Sequence, residues 1–160
     1  MVNIPNNPIF HVEAKARAHF EALRWPDGPV CPFCSATGKT IARVARKAQK
    51  PRKPPLAGKR YRPARDGLFY CNSCKKTFSV TVNTVMHRSH IPLHKWAAAF
   101  YIVSASKTAV SAFQMSRMLG ITYRRAWYLC DDVREALKAD PKAVACDPNS
   151  SQCLLRVGEI

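Results

Sequence analysis

The chain has 160 residues, and its 26 Lys and Arg residues outnumber 10 Asp and Glu residues, which gives a formal net charge of +16. Its composition, 47% apolar and 22% charged, is typical of a globular protein and excludes a fully disordered chain. Because basic side chains gain affinity by releasing the counterions of phosphates, the charge favours a nucleic acid as partner. The N-terminus lacks the pattern of a signal peptide, and the longest apolar run, from Trp96 to Ala105, is about half a bilayer span. We therefore expect a cytoplasmic protein that does not engage a membrane.

The first predicted element is an amphipathic helix over residues 8–24. Asn7 can cap it, and Pro8 suits its first position. Its apolar residues recur at the spacing of one helix face, and they are Val12, Ala16, Phe20 and Leu23. We expect this helix to pack against the next domain and to carry no chemistry.

Residues 25–90 are predicted to form a zinc β-ribbon. Two Cys-x-x-Cys pairs, Cys31 with Cys34 and Cys71 with Cys74, each supply two thiolates from one tight turn, which we call a knuckle. Two knuckles complete the tetrahedral site of a structural Zn²⁺. The total of seven cysteines is odd, and in a reducing compartment metal ligands with spare thiols are favoured over disulfides. A thioredoxin-like redox pair is the weaker alternative, because the surrounding sequence lacks a βαβ pattern.

A β-strand is predicted after the second knuckle, where Phe78, Val80 and Val82 alternate with polar residues. Lys75 and Lys76 lie directly after Cys74 and should favour its thiolate form. We also expect both lysines to contact DNA. The nearby His87, His90 and His94 offer a second metal site, but they straddle the junction between strand and helix, so exposed or capping histidines are the preferred interpretation.

The ribbon contains a basic, Pro-rich insertion over residues 39–65. It has four prolines, no acidic residue and eleven basic residues, which are Lys39, Arg43, Arg46, Lys47, Lys50, Arg52, Lys53, Lys59, Arg60, Arg62 and Arg65. Such a segment cannot bury enough apolar surface to order itself, so its middle is predicted to be a mobile arm. We expect Arg43, Arg46, Lys47, Arg60 and Arg62 to contact DNA.

Residues 91–139 are predicted to form a helix-turn-helix bundle. Pro92 opens the first helix, whose apolar stripe is Leu93, Trp96, Ala97, Phe100 and Val103. A capping box at residues 111–114 opens the second helix, and Gly120 closes it. Thr122 caps the third helix, whose predicted buried stripe is Tyr123, Ala126, Cys130, Val133 and Leu137.

The third helix has the charge pattern of a DNA-recognition helix. Arg124, Arg125 and Tyr128 lie in its first turns, where they can reach base edges or phosphates in the major groove. Its later turns are acidic and would be repelled by phosphate; they contain Asp131, Asp132 and Glu135. Trp96 and Trp127 are assigned to the core. A plain three-helix bundle with a solvated face is the alternative. Residues 140–160 are predicted to be an unstructured tail.

Five segments, taken in order, resemble one known family. They are Phe20-Glu-Ala-Leu-Arg-Trp-Pro26, Gly28-Pro-Val-Cys-Pro-Phe-Cys34, Tyr70-Cys-Asn-Ser-Cys-Lys-Lys-Thr-Phe-Ser-Val-Thr-Val82, Ser89-His-Ile-Pro-Leu-His-Lys-Trp96 and Leu119-Gly-Ile-Thr-Tyr-Arg-Arg-Ala-Trp127. The pattern is similar to the N-terminal half of the zinc-ribbon insertion-sequence transposases of the IS1595 group, over about residues 10–138.

The resemblance implies a zinc ribbon and a helix-turn-helix that bind the terminal inverted repeats of a mobile element, with Cys31, Cys34, Cys71 and Cys74 as zinc ligands. In the family an RNase H-like domain with an acidic metal-binding triad follows. The tail here, with Asp140, Asp147 and Glu159, does not match that motif. We therefore expect a truncated or frame-shifted transposase fragment that binds the transposon ends, has no catalytic residues of its own and competes with full-length transposase for those ends.

Two other functions fit parts of the sequence. An independent zinc-ribbon module could bind RNA or the transcription machinery, since a basic arm suits structured RNA. A small nuclease could use the three histidines named above, but no carboxylate stands beside them in the sequence. The fold class expected for the chain is small α+β, a zinc β-ribbon followed by an all-α helix-turn-helix bundle.

Overall fold

The computed structural model describes residues 4–44, 66–106, 109–139, 144–146 and 153–155. Within these residues it has four α-helices, a three-stranded antiparallel sheet and a separate pair of strands. The chain divides into a ribbon unit, Pro29–Ser79, and a helical unit that joins Met1–Gly28 to Val80–Ile160. The predicted small α+β class is confirmed.

The sheet of the ribbon unit has three antiparallel strands that lie side by side in their sequence order. Its strands are β1 (Ile41–Arg43), β2 (Leu68–Cys71) and β3 (Thr77–Ser79), in the order β1-β2-β3. Phe69 of β2 pairs in register with Phe78 of β3, and their rings stack with centroids 5.6 Å apart. These two rings are the apolar centre of the sheet, because both are almost completely buried.

The strand that was predicted to run through Val82 ends at Ser79. Turns follow over residues 80–88, and Asn83 has a positive φ of 58°. Nη1 of Arg24 donates to the carbonyl oxygens of Val80 and Val82, at 2.6 Å each. The alternation of apolar residues continues past Ser79, but these carbonyls are bonded to a guanidinium and not to a neighbouring strand.

The N-terminal helix α1 spans Glu13–Arg24, which is shorter than the predicted helix over 8–24. Residues Pro8–Phe10 form a short 3-10 helix, and Oδ1 of Asn7 accepts a hydrogen bond from the N–H of Ile9 at 3.0 Å. The buried face of α1 consists of Ala16 and Phe20, whereas Val12 is exposed.

Helix α2, Leu93–Ala105, is the central helix of the helical unit. Seven of its residues are buried, and they are Leu93, Trp96, Ala97, Ala98, Ala99, Phe100 and Ile102. It contacts α1 as well as the two helices that follow it. Nε1 of Trp96 donates to Oγ of Ser89 at 3.2 Å, so the indole is buried with its polar atom bonded.

Helices α3 (Ala112–Leu119) and α4 (Tyr123–Ala139) pack against each other across a short turn. Oγ of Ser111 accepts the N–H of Gln114 at 3.2 Å and caps α3. Gly120 ends α3 in the left-handed conformation, with a φ of 58° that favours glycine. The N–H of Ile121 then donates to the carbonyl of Ser116, which fixes the turn.

The buried face of α4 differs from the predicted stripe at one end. Ala126, Leu129, Cys130 and Val133 are buried at the spacing i, i+3, i+4 and i+7, whereas Tyr123 is 58% exposed. The spacing that placed Tyr123 on the same stripe as Ala126 therefore does not make it part of the buried face.

The tail contains two short strands where it was predicted to be unstructured. Strand β4, Val144–Cys146, pairs antiparallel with β5, Cys153–Leu155. Both are short runs of apolar residues that can pair with each other. The prolines and polar residues around them hide this strand pattern in the sequence. The remaining tail residues and the predicted mobile arm lie outside the described residues.

Candidate metal centre and nucleic-acid interface

The two knuckles have the same backbone hydrogen bond. The N–H of Cys31 donates to the carbonyl of Ala36, and the N–H of Cys71 donates to the carbonyl of Lys76, both at 3.0 Å. In each case the first cysteine of the pair is bonded to the fifth residue after it. The sequence therefore repeats not only the ligand spacing but also the turn that positions the ligands.

The residue after each knuckle has a left-handed backbone. Ser35 has a φ of 54° and Lys75 has a φ of 56°. This conformation favours glycine and costs other residues about 1–2 kcal/mol. Both knuckles adopt it without a glycine, so the turn is imposed by the ligand geometry and by the hydrogen bond that closes it.

The four cysteine sulfurs form one cluster. The Sγ atoms of Cys31 and Cys74 are 3.6 Å apart, as are those of Cys34 and Cys71, and all four lie within 4.8 Å of one another. A tetrahedral Zn²⁺ with Zn–S distances of about 2.3 Å would separate its sulfurs by about 3.8 Å. The four side chains therefore fit a metal ion. Within the described residues no other group of histidine, cysteine or acidic side chains is placed to hold one.

The thiols of the cluster differ in acidity. Backbone hydrogen bonding from Cys74, with help from the thiol of Cys34, lowers the pKa of Cys71 to about 6. The Ala36 amide acts in the same direction on Cys34, but loss of hydration and the neighbouring thiols outweigh it and raise the pKa of Cys34 to about 12. A metal ion would bind all four sulfurs as thiolates, so its binding would release the protons that the thiols carry.

Three cations of the ribbon unit that were predicted to contact DNA lie within the described residues, and all three are exposed. Nζ of Lys76 lies 4.8 Å from the ring centroid of Phe33, which connects the two knuckles on their outer surface. The guanidinium of Arg43 lies 5.4 Å from the ring centroid of Phe69. Lys75 is also exposed. The other predicted contacts of the insertion, Arg46, Lys47, Arg60 and Arg62, lie outside the described residues.

The predicted contacts on α4 are exposed as well. Arg124 and Arg125 lie in the first turn of the helix, and Tyr128 lies one turn later with half of its surface exposed. Within the described residues neither arginine has an ion-pair partner. Both guanidinium groups are therefore available at the N-terminal end of α4.

The second half of α4 contains three carboxylates, Asp131, Asp132 and Glu135, together with the cations Arg134 and Lys138. Partial burial raises the pKa of Asp132, and the charges of Asp131 and Glu135 raise it further. The three carboxylates therefore repel one another along one part of the helix. A phosphate backbone would be attracted to the first turns of α4 and repelled from these later turns.

The structure places the two predicted core tryptophans differently. Trp96 is 1% exposed, as predicted, but Trp127 is 50% exposed, so its assignment to the core was wrong. The buried face of α4 includes Ala126, and Trp127 lies about 100° further around the helix. The i, i+3, i+4 spacing of Arg124, Trp127 and Tyr128 was the signal in the sequence that indicated a shared outer face.

The three histidines do not form a metal site. Nδ1 of His94 is 3.0 Å from Oε2 of Glu13, and the backbone N–H of His94 donates to the same oxygen at 3.3 Å. This contact links the N-terminus of α2 to α1. His87 and His90 are exposed. The interpretation of these residues as exposed or capping histidines agrees with this arrangement.

Comparison with known proteins bears on the ribbon. Residues 12–52 match the model of the IS1595 transposase zinc-ribbon domain family. This zinc-ribbon match confirms the predicted resemblance, and it is consistent with the N-terminal part of an IS1595 transposase. The matched zinc-ribbon segment is about a quarter of the chain and includes the first knuckle; Cys71 and Cys74 lie beyond it, and the structure brings them to the same centre. No curated protein and no solved structure matches the chain. None of the helices that the structure describes is long and apolar enough to cross a bilayer.

Proposed function

We propose that the chain binds duplex DNA at the terminal inverted repeats of an insertion sequence, with the ribbon stabilised by Zn²⁺ and with α3 and α4 acting as a helix-turn-helix. The observation that carries this proposal is the match of residues 12–52 to the transposase zinc-ribbon family together with the completed cluster of four thiols. Thiolate ligands in a closed tetrahedral set favour zinc in a structural role.

The arrangement of α3 and α4 supports the second part of the proposal. In a helix-turn-helix the later helix enters the major groove with its N-terminal residues foremost. Helix α4 has arginines at that end and carboxylates in its later turns. This charge distribution favours an orientation in which the first turns approach the phosphates over one in which the helix lies flat along the groove.

The proposal is tested by selecting binding sites from a randomised duplex pool with the zinc-loaded chain. We expect one enriched sequence, and we expect its dissociation constant to rise steeply with salt because phosphates are neutralised. Replacing Arg124 or Arg125 with Ala should reduce the preference for that sequence by about 1–3 kcal/mol, since a guanidinium that reads a guanine edge is worth about that much.

A charge-matched control separates base reading from general attraction. Lys15→Ala removes one exposed positive charge from α1, outside the proposed interface. It should weaken binding to all sequences slightly and equally. Tighter binding to RNA than to any duplex would contradict the proposal and favour an RNA-binding module, and an arginine variant with unchanged sequence preference would contradict the placement of α4 in the groove.

A further inference from the structure

An aromatic pair on the outer face of α4 is not explained by packing. Trp127 is 50% exposed and Tyr128 is 51% exposed. Their ring centroids are 5.1 Å apart and their planes meet at 82°, which is an edge-to-face contact. Each ring restricts the other, so the pair forms a rigid apolar surface that is kept in water at a cost in free energy.

The surroundings of this pair are cationic. Arg124 lies three and four residues before Trp127 and Tyr128, so the three side chains share one face of the helix. Arg125 is exposed beside them. A second copy of the chain would bring the same arginines to a symmetric contact, and the formal charge of +16 opposes such an approach. The charges favour an anionic partner that also offers apolar contacts.

Duplex DNA provides both features at one place. In the major groove thymine presents a 5-methyl group, and apolar side chains recognise that methyl by contact. An unpaired base would need an open flat ring on which to stack. The edge-to-face pair presents an angled surface and not a parallel platform, which suits a protruding methyl group better than a stacked base.

We propose that Trp127, supported by Tyr128, determines sequence specificity by contacting thymine methyl groups in the major groove. This inference rests on the proposed function, because it requires the N-terminal half of α4 to lie in that groove. It adds an apolar contact to the contacts proposed for the arginines. The preferred site should then contain thymines whose methyl groups contribute to affinity, next to the bases that the arginines read.

The experiment uses the duplex that the zinc-loaded full chain selects from the randomised pool. Each thymine of that duplex is replaced in turn by deoxyuridine, which keeps the base pairing and removes only the methyl group. We expect one or two positions at which the dissociation constant rises about fourfold, the effect of exposing one buried methyl-sized group. In the Trp127→Ala variant, replacing the same thymines with deoxyuridine should not raise the dissociation constant further.

Two further variants make the result specific. Phe113→Ala removes a comparably exposed ring from α3, where Phe113 is 58% exposed. This variant should still show the full fourfold rise in the dissociation constant when a sensitive thymine is replaced by deoxyuridine. Trp127→Gln keeps a long side chain on α4 and should lose the penalty as Trp127→Ala does, which guards against a folding defect in the alanine variant. Circular dichroism and zinc content confirm that each variant is folded.

The outcomes distinguish this inference from the function on which it rests. If no duplex sequence is enriched, the proposed function fails and the inference fails with it. If a duplex is enriched but no thymine is sensitive, or if Trp127→Gln retains the penalty, the inference alone is overturned. Tighter binding to single strands than to the duplex, or self-association that Trp127→Gln abolishes, would assign the aromatic pair to another partner and would also overturn it.

Discussion

The ribbon unit and the helical unit of this chain are stabilised by different means. Apart from the cysteines, the buried apolar side chains of the described ribbon are Phe69 and Phe78. The helical unit has a large core, whose largest fully buried side chains are Trp96, Phe20, Met86, Ile102, Met115, Leu129 and Val133. Two stacked rings cannot offset the conformational entropy of a folded sheet, so we expect the ribbon to depend on the metal ion proposed for its four thiols, whereas the helices depend on apolar burial.

These two means of stabilisation explain why the sequences of the two units look so different. A unit stabilised by four ligands needs only the ligands, their turns and a short sheet, and it can accept a long polar insertion between its knuckles. A unit stabilised by packing needs apolar residues at regular helical positions along its whole length. Changes to single residues should therefore have opposite consequences in the two units.

The largest effect is expected from Cys71→Ser. Losing one of four ligands should remove most of the metal-binding free energy, which is on the order of 10 kcal/mol for a structural zinc. Elemental analysis should show the zinc content fall from one ion per chain to none, and amide hydrogen exchange should show loss of protection in Pro29–Ser79. Cys130→Ala changes a buried cysteine of the helical unit and should keep the zinc. A Cys71→Ser protein with a full complement of zinc would refute the four-thiolate site.

The complementary change is Trp96→Ala in the helical unit. Removing this fully buried indole should reduce the free energy of unfolding by about 3–5 kcal/mol, measured by urea titration of the helical circular dichroism signal. The zinc content should stay the same, because the four ligands are unaffected. Trp127→Ala, the matched change at a half-exposed position, should lower the stability by no more than about 1 kcal/mol. Equal losses for the two tryptophans would mean that their burial is misassigned.

A smaller effect, and a stabilising one, is expected from Lys75→Gly. Because Lys75 adopts a positive φ, glycine should relieve about 1 kcal/mol of backbone strain. Since folding of the ribbon and metal binding are coupled, zinc should bind about fivefold more tightly in competition with a chelator. Lys76→Gly removes the same charge at the next position, where φ is not positive, and should give no such gain. An equal gain for both variants would attribute the effect to charge.

The smallest effect is expected from Asp132→Asn, and it depends on pH. A raised pKa means that the folded state binds this proton more tightly than the unfolded state, so the ionised carboxylate destabilises the fold at neutral pH. The variant should gain about 0.2–0.5 kcal/mol at neutral pH, the size of one like-charge pair on a helix. The gain should vanish at about pH 3, where aspartates are largely protonated. Urea midpoints at both pH values measure it, with the exposed Asp27→Asn as control, and a gain that persists in acid would rule out the charge mechanism.

Features that depend only on local spacing can be predicted from the sequence. The two Cys-x-x-Cys turns, the Ser111 cap and the left-handed Gly120 follow from a few adjacent residues, because each satisfies its geometry within one turn of chain. The resemblance to transposase zinc ribbons is likewise a property of the linear order of the motifs.

Which apolar residues are buried depends on the tertiary structure. Periodicity grouped Tyr123 with the buried face of α4 and Trp127 with the core, yet both are exposed, because burial depends on where the neighbouring helices end. Strand β3 ends at Ser79 for a similar reason: the carbonyls of Val80 and Val82 beyond it are bonded to Arg24, which is distant in the sequence. Local spacing fixes turns and ligands, but only the arrangement of distant segments determines which faces remain available to a partner.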